Sequence, residues 1–166
     1  MPSVNKQQIA NALTMIFPLM NLIKHRGKRC NLKKIMYVHI PISFLLHSVS
    51  AFTNNKKVLG PLKKTDYFLI HLSSVVAAMD IKKRVHFYPL VHLAIWIMSA
   101  RQHKDMHLSR SLLMLYEHKD MKYDRKHVIT GVTSTLLFNM NNKIPYSHAL
   151  FHISLFWIYD IYFNTV

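Results

Sequence analysis

The chain has one cysteine, Cys30, and only seven acidic side chains in 166 residues. A single thiol excludes an intrachain disulfide and any zinc site built from cysteines. Cys30 stands in the most basic clump of the sequence, where we expect an inert, solvated thiol despite the cations around it. Low-complexity segments are absent, and the length leaves no room for a second domain, so residues 1–166 are read as a single domain. Also missing is the continuous basic stripe interleaved with aromatics that marks a nucleic-acid binder, so no nucleic-acid partner is expected. A cleavable signal is not evident either. Lys6 is the only base before the first apolar run, Pro18 interrupts that run, and it ends on Lys24, His25 and Arg26 rather than a small-residue cleavage site. The N-terminal segment is expected to be retained.

What is abundant is apolar sequence, at 51% of residues, together with 22 Lys+Arg that leave a formal net charge of +15. The bases are clumped, at 24–34, 56–57, 63–64, 82–84 and 122–126, and the stretches between are almost free of charge. Seven apolar segments result: Ile9–Ile23, Ile35–Phe52, Tyr67–Met79, Val85–Ala100, His107–Tyr116, Val128–Met140 and Ile144–Phe163. The alternation predicts an all-α, polytopic membrane bundle of seven helices, or six if the fifth segment does not span. That segment is the weak one, because it holds Arg110 and stops at Glu117. A straight spanning helix needs ~20 residues, so the shorter segments must borrow polar flanks or sit in a thin bilayer. "TNNKKVLGPLKKTD" and "NMNNKIP" read as turns, and Pro41 and Pro89 as kinks tolerated in membrane helices. Trp96, Trp157 and Tyr162 read as interface anchors. The rival organisation is a soluble helical bundle with basic surface loops, and the poverty of polar faces within the runs speaks against it.

His148 and His152 sit four residues apart in one of the most apolar runs, so both rings leave the same face of a helix. An imidazole is costly to hold there without a partner, and a shared cation is one solution. Packing or an interfacial position is the other, and the same spacing recurs at His103 and His107 in polar surroundings, so spacing alone decides nothing. If the pair binds metal, the further ligand comes from elsewhere. His47, near the end of segment two, is the candidate, with Ser43 one turn before it and Asp66 at the start of segment three. Three neutral imidazoles leave a position open, as in catalytic zinc sites, and a metal there would acidify a water toward pKa ~7 and polarise a carbonyl. Asp66 could then accept a proton, and Ser43 could steady a ring or a developing oxyanion. The plainer readings are that Asp66 caps the helix beginning at Tyr67 and that Ser43 bonds back to a helical carbonyl. Geometry adds a condition. The end of segment two and the start of segment seven share a side only if segments three to six cross an even number of times.

The order Ser43-x3-His47, then Asp66 opening "DYF", then His148-x3-His152 opening the last helix resembles the CREST superfamily of seven-helix membrane proteins. That superfamily includes alkaline ceramidases, adiponectin and progestin receptors, GPI-remodelling lipid hydrolases and myomaker. "FPLMNLIKHR", "KKIMYVHIPISFLLHSVSAF" and "YSHALFHI" are most similar to the branch containing myomaker and transmembrane protein eight. The resemblance spans essentially the whole chain, although residues 101–127 are shorter and more charged than the family's fifth helix. It implies His47, His148 and His152 as zinc ligands, with Ser43 and Asp66 as the accompanying polar pair.

Two functions are therefore expected as alternatives. One is zinc-dependent hydrolysis of a lipid ester or amide, ceramidase-like or phospholipase-like, with membrane lipid as the partner and Asp66 and Ser43 as catalytic groups. The other is a myomaker-like role in membrane fusion or remodelling, in which the zinc is structural. The clump at 24–34 is the strongest and follows the first segment, which predicts a cytoplasmic first loop, an N-terminus outside or lumenal and a cytoplasmic C-terminus. The expected location is the plasma membrane or a membrane of the secretory pathway.

Overall fold

The computed structural model describes residues 4–82, 125–140 and 143–166. Among these residues every regular element is a helix: α1 (Lys6–Thr14), α2 (Ile16–Lys24), α3 (Asn31–Phe52), α4 (Lys56–Lys82), α5 (Arg125–Asn139) and α6 (Ser147–Thr165). The expected segments Val85–Ala100 and His107–Tyr116, and with them Trp96 and His103, lie outside the described residues.

α1 and α2 form one rod broken once. Asn5 starts it, its side-chain oxygen accepting from the backbone N–H groups of Gln7 and Gln8 at 3.1 and 3.3 Å. The break at Met15 has a covalent cause: Pro18 has no N–H for the Thr14 carbonyl, and its ring crowds that carbonyl. Met15 bonds instead to Ala12, three residues back. α3 is 22 residues long, contains an 18-residue window with a mean hydropathy of 1.5, and among the described residues is the one helix long and apolar enough to cross a membrane.

α4 corrects two expectations. The connection after α3 is only residues 53–55, and the Gly60-Pro61 pair that read as a turn lies inside the helix. Asn55 is the start signal, accepting from the Lys57 N–H at 3.0 Å. Asp66 consequently sits ten residues into α4, so it neither caps nor opens a helix.

The helices run alternately. Leu32 and Met36 near the start of α3 share a buried cluster with Tyr162 and Phe163 near the end of α6. His47 late in α3 meets His148 and His152 early in α6. α3 and α6 are therefore antiparallel. The α1–α2 rod runs with α6: Thr14 contacts His152, the Asn21 amide donates to the Phe156 carbonyl at 2.6 Å, and His25 meets Asp160 at 2.7 Å. α4 returns along α3, with Asp66 beside His39 and Asp80 beside Asn31. α5 opposes α6, through Ser134 with Ser154 and Phe138 with Phe151. The end of α4 and the start of α5 thus lie at the same end of the bundle as Tyr162. The end of α3 and the start of α6 share the other end of the bundle.

The Tyr162 end is fastened by two charged groups. Cys30 gives the N-terminus of α3 no side-chain cap. Asp80 takes its place, accepting from the Leu32 N–H at 2.8 Å, the Asn31 amide at 2.8 Å and the Tyr162 hydroxyl at 3.0 Å. Tyr162 is therefore a buried hydrogen-bonding residue rather than an interface anchor, whereas Trp157 is 52% exposed. Lys33, buried despite its place in the basic clump, donates to the carbonyls of His25, Arg26 and Lys28 just after α2. Cys30 is half-buried rather than solvated, and burial pushes its thiol pKa up, which disfavours the reactive thiolate.

Beside an apolar core that includes Leu22, Leu32, Met36 and Phe163, part of the burial pattern is inverted relative to a water-soluble fold. Asn11, Asn21, Lys33, Asp66, Asp80 and His152 are buried, while Leu13, Ile16, Ile23, Val38, Phe44 and Phe52 are 49% to 67% exposed.

Candidate metal site

His47, His148 and His152 converge at the end of the bundle opposite Asp80. Their ligand atoms all lie within 4.8 Å of one another, close enough to bind one metal ion. The ring centroids are 5.0 Å (His47–His148), 5.2 Å (His47–His152) and 4.6 Å (His148–His152) apart. α6 supplies the last two from one face, one turn apart. Just before α6 the chain turns through Tyr146 at φ 61°, a left-handed conformation that costs a non-glycine residue on the order of 1 kcal/mol. That turn sets His148 in the first turn of the helix.

The tautomers follow from hydrogen bonds made by α1. His152 Nδ1 lies 3.0 Å from the Asn11 carbonyl oxygen, which can only accept, so Nδ1 carries the proton and Nε2 keeps its lone pair. Thr14 Oγ1 shares that proton at 3.1 Å. His47 Nδ1 lies 2.8 Å from Gln8 Oε1. The Ser50 hydroxyl and the Asn11 amide also point donors at Oε1, at 3.0 and 3.5 Å, so that atom is the amide oxygen and His47 Nδ1 donates to it. His47 Nε2 is then a buried lone pair without a hydrogen-bond partner. Two ligand rings thus have their outer nitrogens pinned by a carbonyl and an amide oxygen, the arrangement that orients and enriches histidine ligands. The donor set fits a borderline metal such as zinc.

Asp66 and Ser43 stand beside this set rather than in it. His39 Nε2 approaches Asp66 Oδ1 at 3.3 Å, and Ser43 also interacts with the carboxylate, which lies within electrostatic reach of His47. His39, Ser43 and His47 are spaced by four on one face of α3, so the plain reading of Ser43 as a residue bonded to its own helix gives way to a polar row against α4.

Sequence reasoning missed four members of this site: His39 and the α1 groups Gln8, Asn11 and Thr14. The signal for the latter was their spacing of three, which makes a polar ridge on one face of the N-terminal rod. Comparison with protein-family models, curated proteins and solved structures finds no match to this chain. The residues themselves must carry the functional argument.

Proposed function

We propose that this chain is a multi-pass integral membrane protein in which His47, His148 and His152 hold zinc, and that a lipid ester or amide is hydrolysed beside them. The observation that carries the reading is the pair of buried rings whose Nδ1 atoms are engaged by Gln8 and Asn11, which leaves their Nε2 lone pairs available in a cluster with His148 whose ligand atoms lie within 4.8 Å of one another. Zinc bound there supplies a Lewis acid for a substrate carbonyl and acidifies a water. Asp66, flanked by His39 at 3.3 Å, would be the proton acceptor beside such a site. Ser43 donates toward Asp66, and in this reading it would steady a developing oxyanion.

The membrane part of the proposal is supported by the inverted burial and by the length and hydropathy of α3. In hydrocarbon an exposed Leu or Phe costs nothing and a buried, bonded polar group is the stable arrangement, whereas water would favour the reverse. The similarity of the Ser43, His47, Asp66, His148 and His152 pattern to the CREST superfamily is consistent with lipid as the substrate. The basic first loop favours a cytoplasmic α2–α3 turn, with the zinc site toward the outer or lumenal leaflet of a plasma or secretory-pathway membrane.

One observation favours the second reading, a myomaker-like fusion or remodelling protein with structural zinc. The ligands join α3 to α6 and their supports come from α1, so the metal would fasten three separate helices. Lipid turnover by purified protein, before and after chelation, separates the two. Turnover that stops on chelation and returns with zinc supports the hydrolase; no turnover of any acyl ester or amide, with a loss of folded protein on chelation, supports the structural role.

A further inference from the structure

At the opposite end of α3, about 20 Å from His47 by helical rise, a cavity of about 830 Å³ opens beneath the α2–α3 turn. Arg26, Lys28, Arg29 and Lys34 line it, and all four are exposed. A basic loop that served only to set topology would need no fixed shape. This one has one. The Lys33 ammonium ties the carbonyls of His25, Arg26 and Lys28 together, and the Lys28 N–H donates to the His25 carbonyl at 2.9 Å, so the backbone carrying the cations is held in a tight turn. Among the described residues the one carboxylate side chain in the cavity wall is Asp80, which is already committed to Asn31, Leu32 and Tyr162 and makes no ion pair with the four cations.

A second, apolar cavity of about 500 Å³ runs along the side of the bundle between the α1–α2 rod and α3. Leu13, Ile16 and Leu19 form one wall, and Tyr37, Pro41 and Phe44 form the other. Tyr37 lines both cavities. A cationic cavity and an apolar groove therefore adjoin at one tyrosine.

We infer that these adjoining cavities bind an anionic glycerophospholipid, its phosphate-bearing headgroup among Arg26, Lys28, Arg29 and Lys34 and an acyl chain in the groove along α3. The cations match a headgroup with more than one negative charge, and the groove matches a hydrocarbon tail, which a soluble phosphate lacks. This site is separate from the histidines in place and in chemistry, and it does not depend on what they do.

The test uses the full chain in uncharged detergent micelles, titrated with dioleoyl phosphatidic acid. Phosphatidylcholine serves as the neutral lipid and glycerol phosphate as the headgroup without a tail. Each cation beside an anionic lipid surface contributes roughly fivefold in affinity. Lys28→Gln with Arg29→Gln should therefore weaken phosphatidic acid roughly thirtyfold without changing thermal stability. Lys56→Gln with Lys57→Gln removes the same charge at the far end of the bundle and should change binding by about twofold at most, because screening is nearly complete over that distance. Chelation should leave the binding unchanged, which keeps the outcome distinct from that of the metal site. Equal binding of phosphatidylcholine, or an equal loss in both double variants, would overturn the proposal. Glycerol phosphate binding as tightly as the lipid would overturn it too, in favour of a site for soluble anions.

Discussion

Gln8 and His47 meet across α1 and α3 at 2.8 Å, the amide oxygen accepting the imidazole Nδ1 proton. The contact makes α1 a partner of the metal site although it supplies no ligand. Removing such a support from a metal-binding histidine lowers affinity by about 10- to 100-fold. Gln8→Leu should do this, as measured by competition with a fluorescent chelator, while Gln8→Glu, which keeps an acceptor at the same reach, should retain tight binding. Equal affinities for Gln8→Leu and the parent chain would show that α1 plays no part in holding the ring.

The metal itself is the second prediction. Purified protein should carry about one zinc per chain by elemental analysis. His148→Ala and His152→Ala should each lower affinity sharply, because each removes a direct ligand. Acidification should release the ion, since protonated imidazole has no lone pair to offer. A chain that contains no transition metal and is nonetheless folded and active would end the proposal.

What the sequence made legible was residue identity and helical face. The i, i+4 spacing of His148 and His152 placed them on one helical face, and His47, near the end of segment two with Ser43 one turn before it, was the candidate for a third ligand. Helix boundaries were less legible. Gly60-Pro61 followed by two lysines carries every local mark of a loop, yet Pro61 sits where a helix already started by Asn55 can pass through it. The bond between Tyr162 and Asp80 joins residues far apart in sequence, and no local pattern announces such a pair. His39 was visible at four-residue spacing before Ser43 and His47. Its role depends on Asp66 facing α3, and that is fixed only once the helix is known to begin at Lys56.

Asp66 separates chemistry from architecture. Asp66→Asn should abolish lipid turnover while the zinc content stays near one per chain, because an amide cannot take up the proton of water. His39→Phe should lower turnover without eliminating it, since it removes only the group that holds the carboxylate. Turnover at the parent rate in Asp66→Asn would take that residue out of the mechanism.

The fastening at the other end can be tested by stability alone. Tyr162→Phe removes one buried hydrogen bond to Asp80 and should cost about 1–2 kcal/mol. Asp80→Ala should cost more, because it strands the Leu32 N–H, the Asn31 amide and the Tyr162 hydroxyl together. Thermal unfolding in detergent reads both changes, and in the double variant Tyr162→Phe should add little to Asp80→Ala, since the two act through one contact.

Topology is argued from charge and from helix direction independently. The bases of the α2–α3 turn, Lys24, Arg26, Lys28, Arg29, Lys33 and Lys34, form the densest clump in the chain. Positive charge favours the cytoplasmic side, and the first loop carries most weight. An N-terminus outside or in the lumen is therefore the expected orientation. Helix direction bears on the other end. The α1–α2 rod runs parallel to α6, so the start of α1 and the end of α6 lie at opposite ends of the bundle. Epitope tags at the two termini, probed with antibody before and after permeabilisation, should therefore show the N-terminal tag on intact cells and the C-terminal tag only after permeabilisation. An inverted result would keep the bundle and reject the charge argument. Both tags on one side of the membrane would contradict the parallel packing of Thr14 on His152 and Asn21 on Phe156, and with it the α1 support on which the metal site rests.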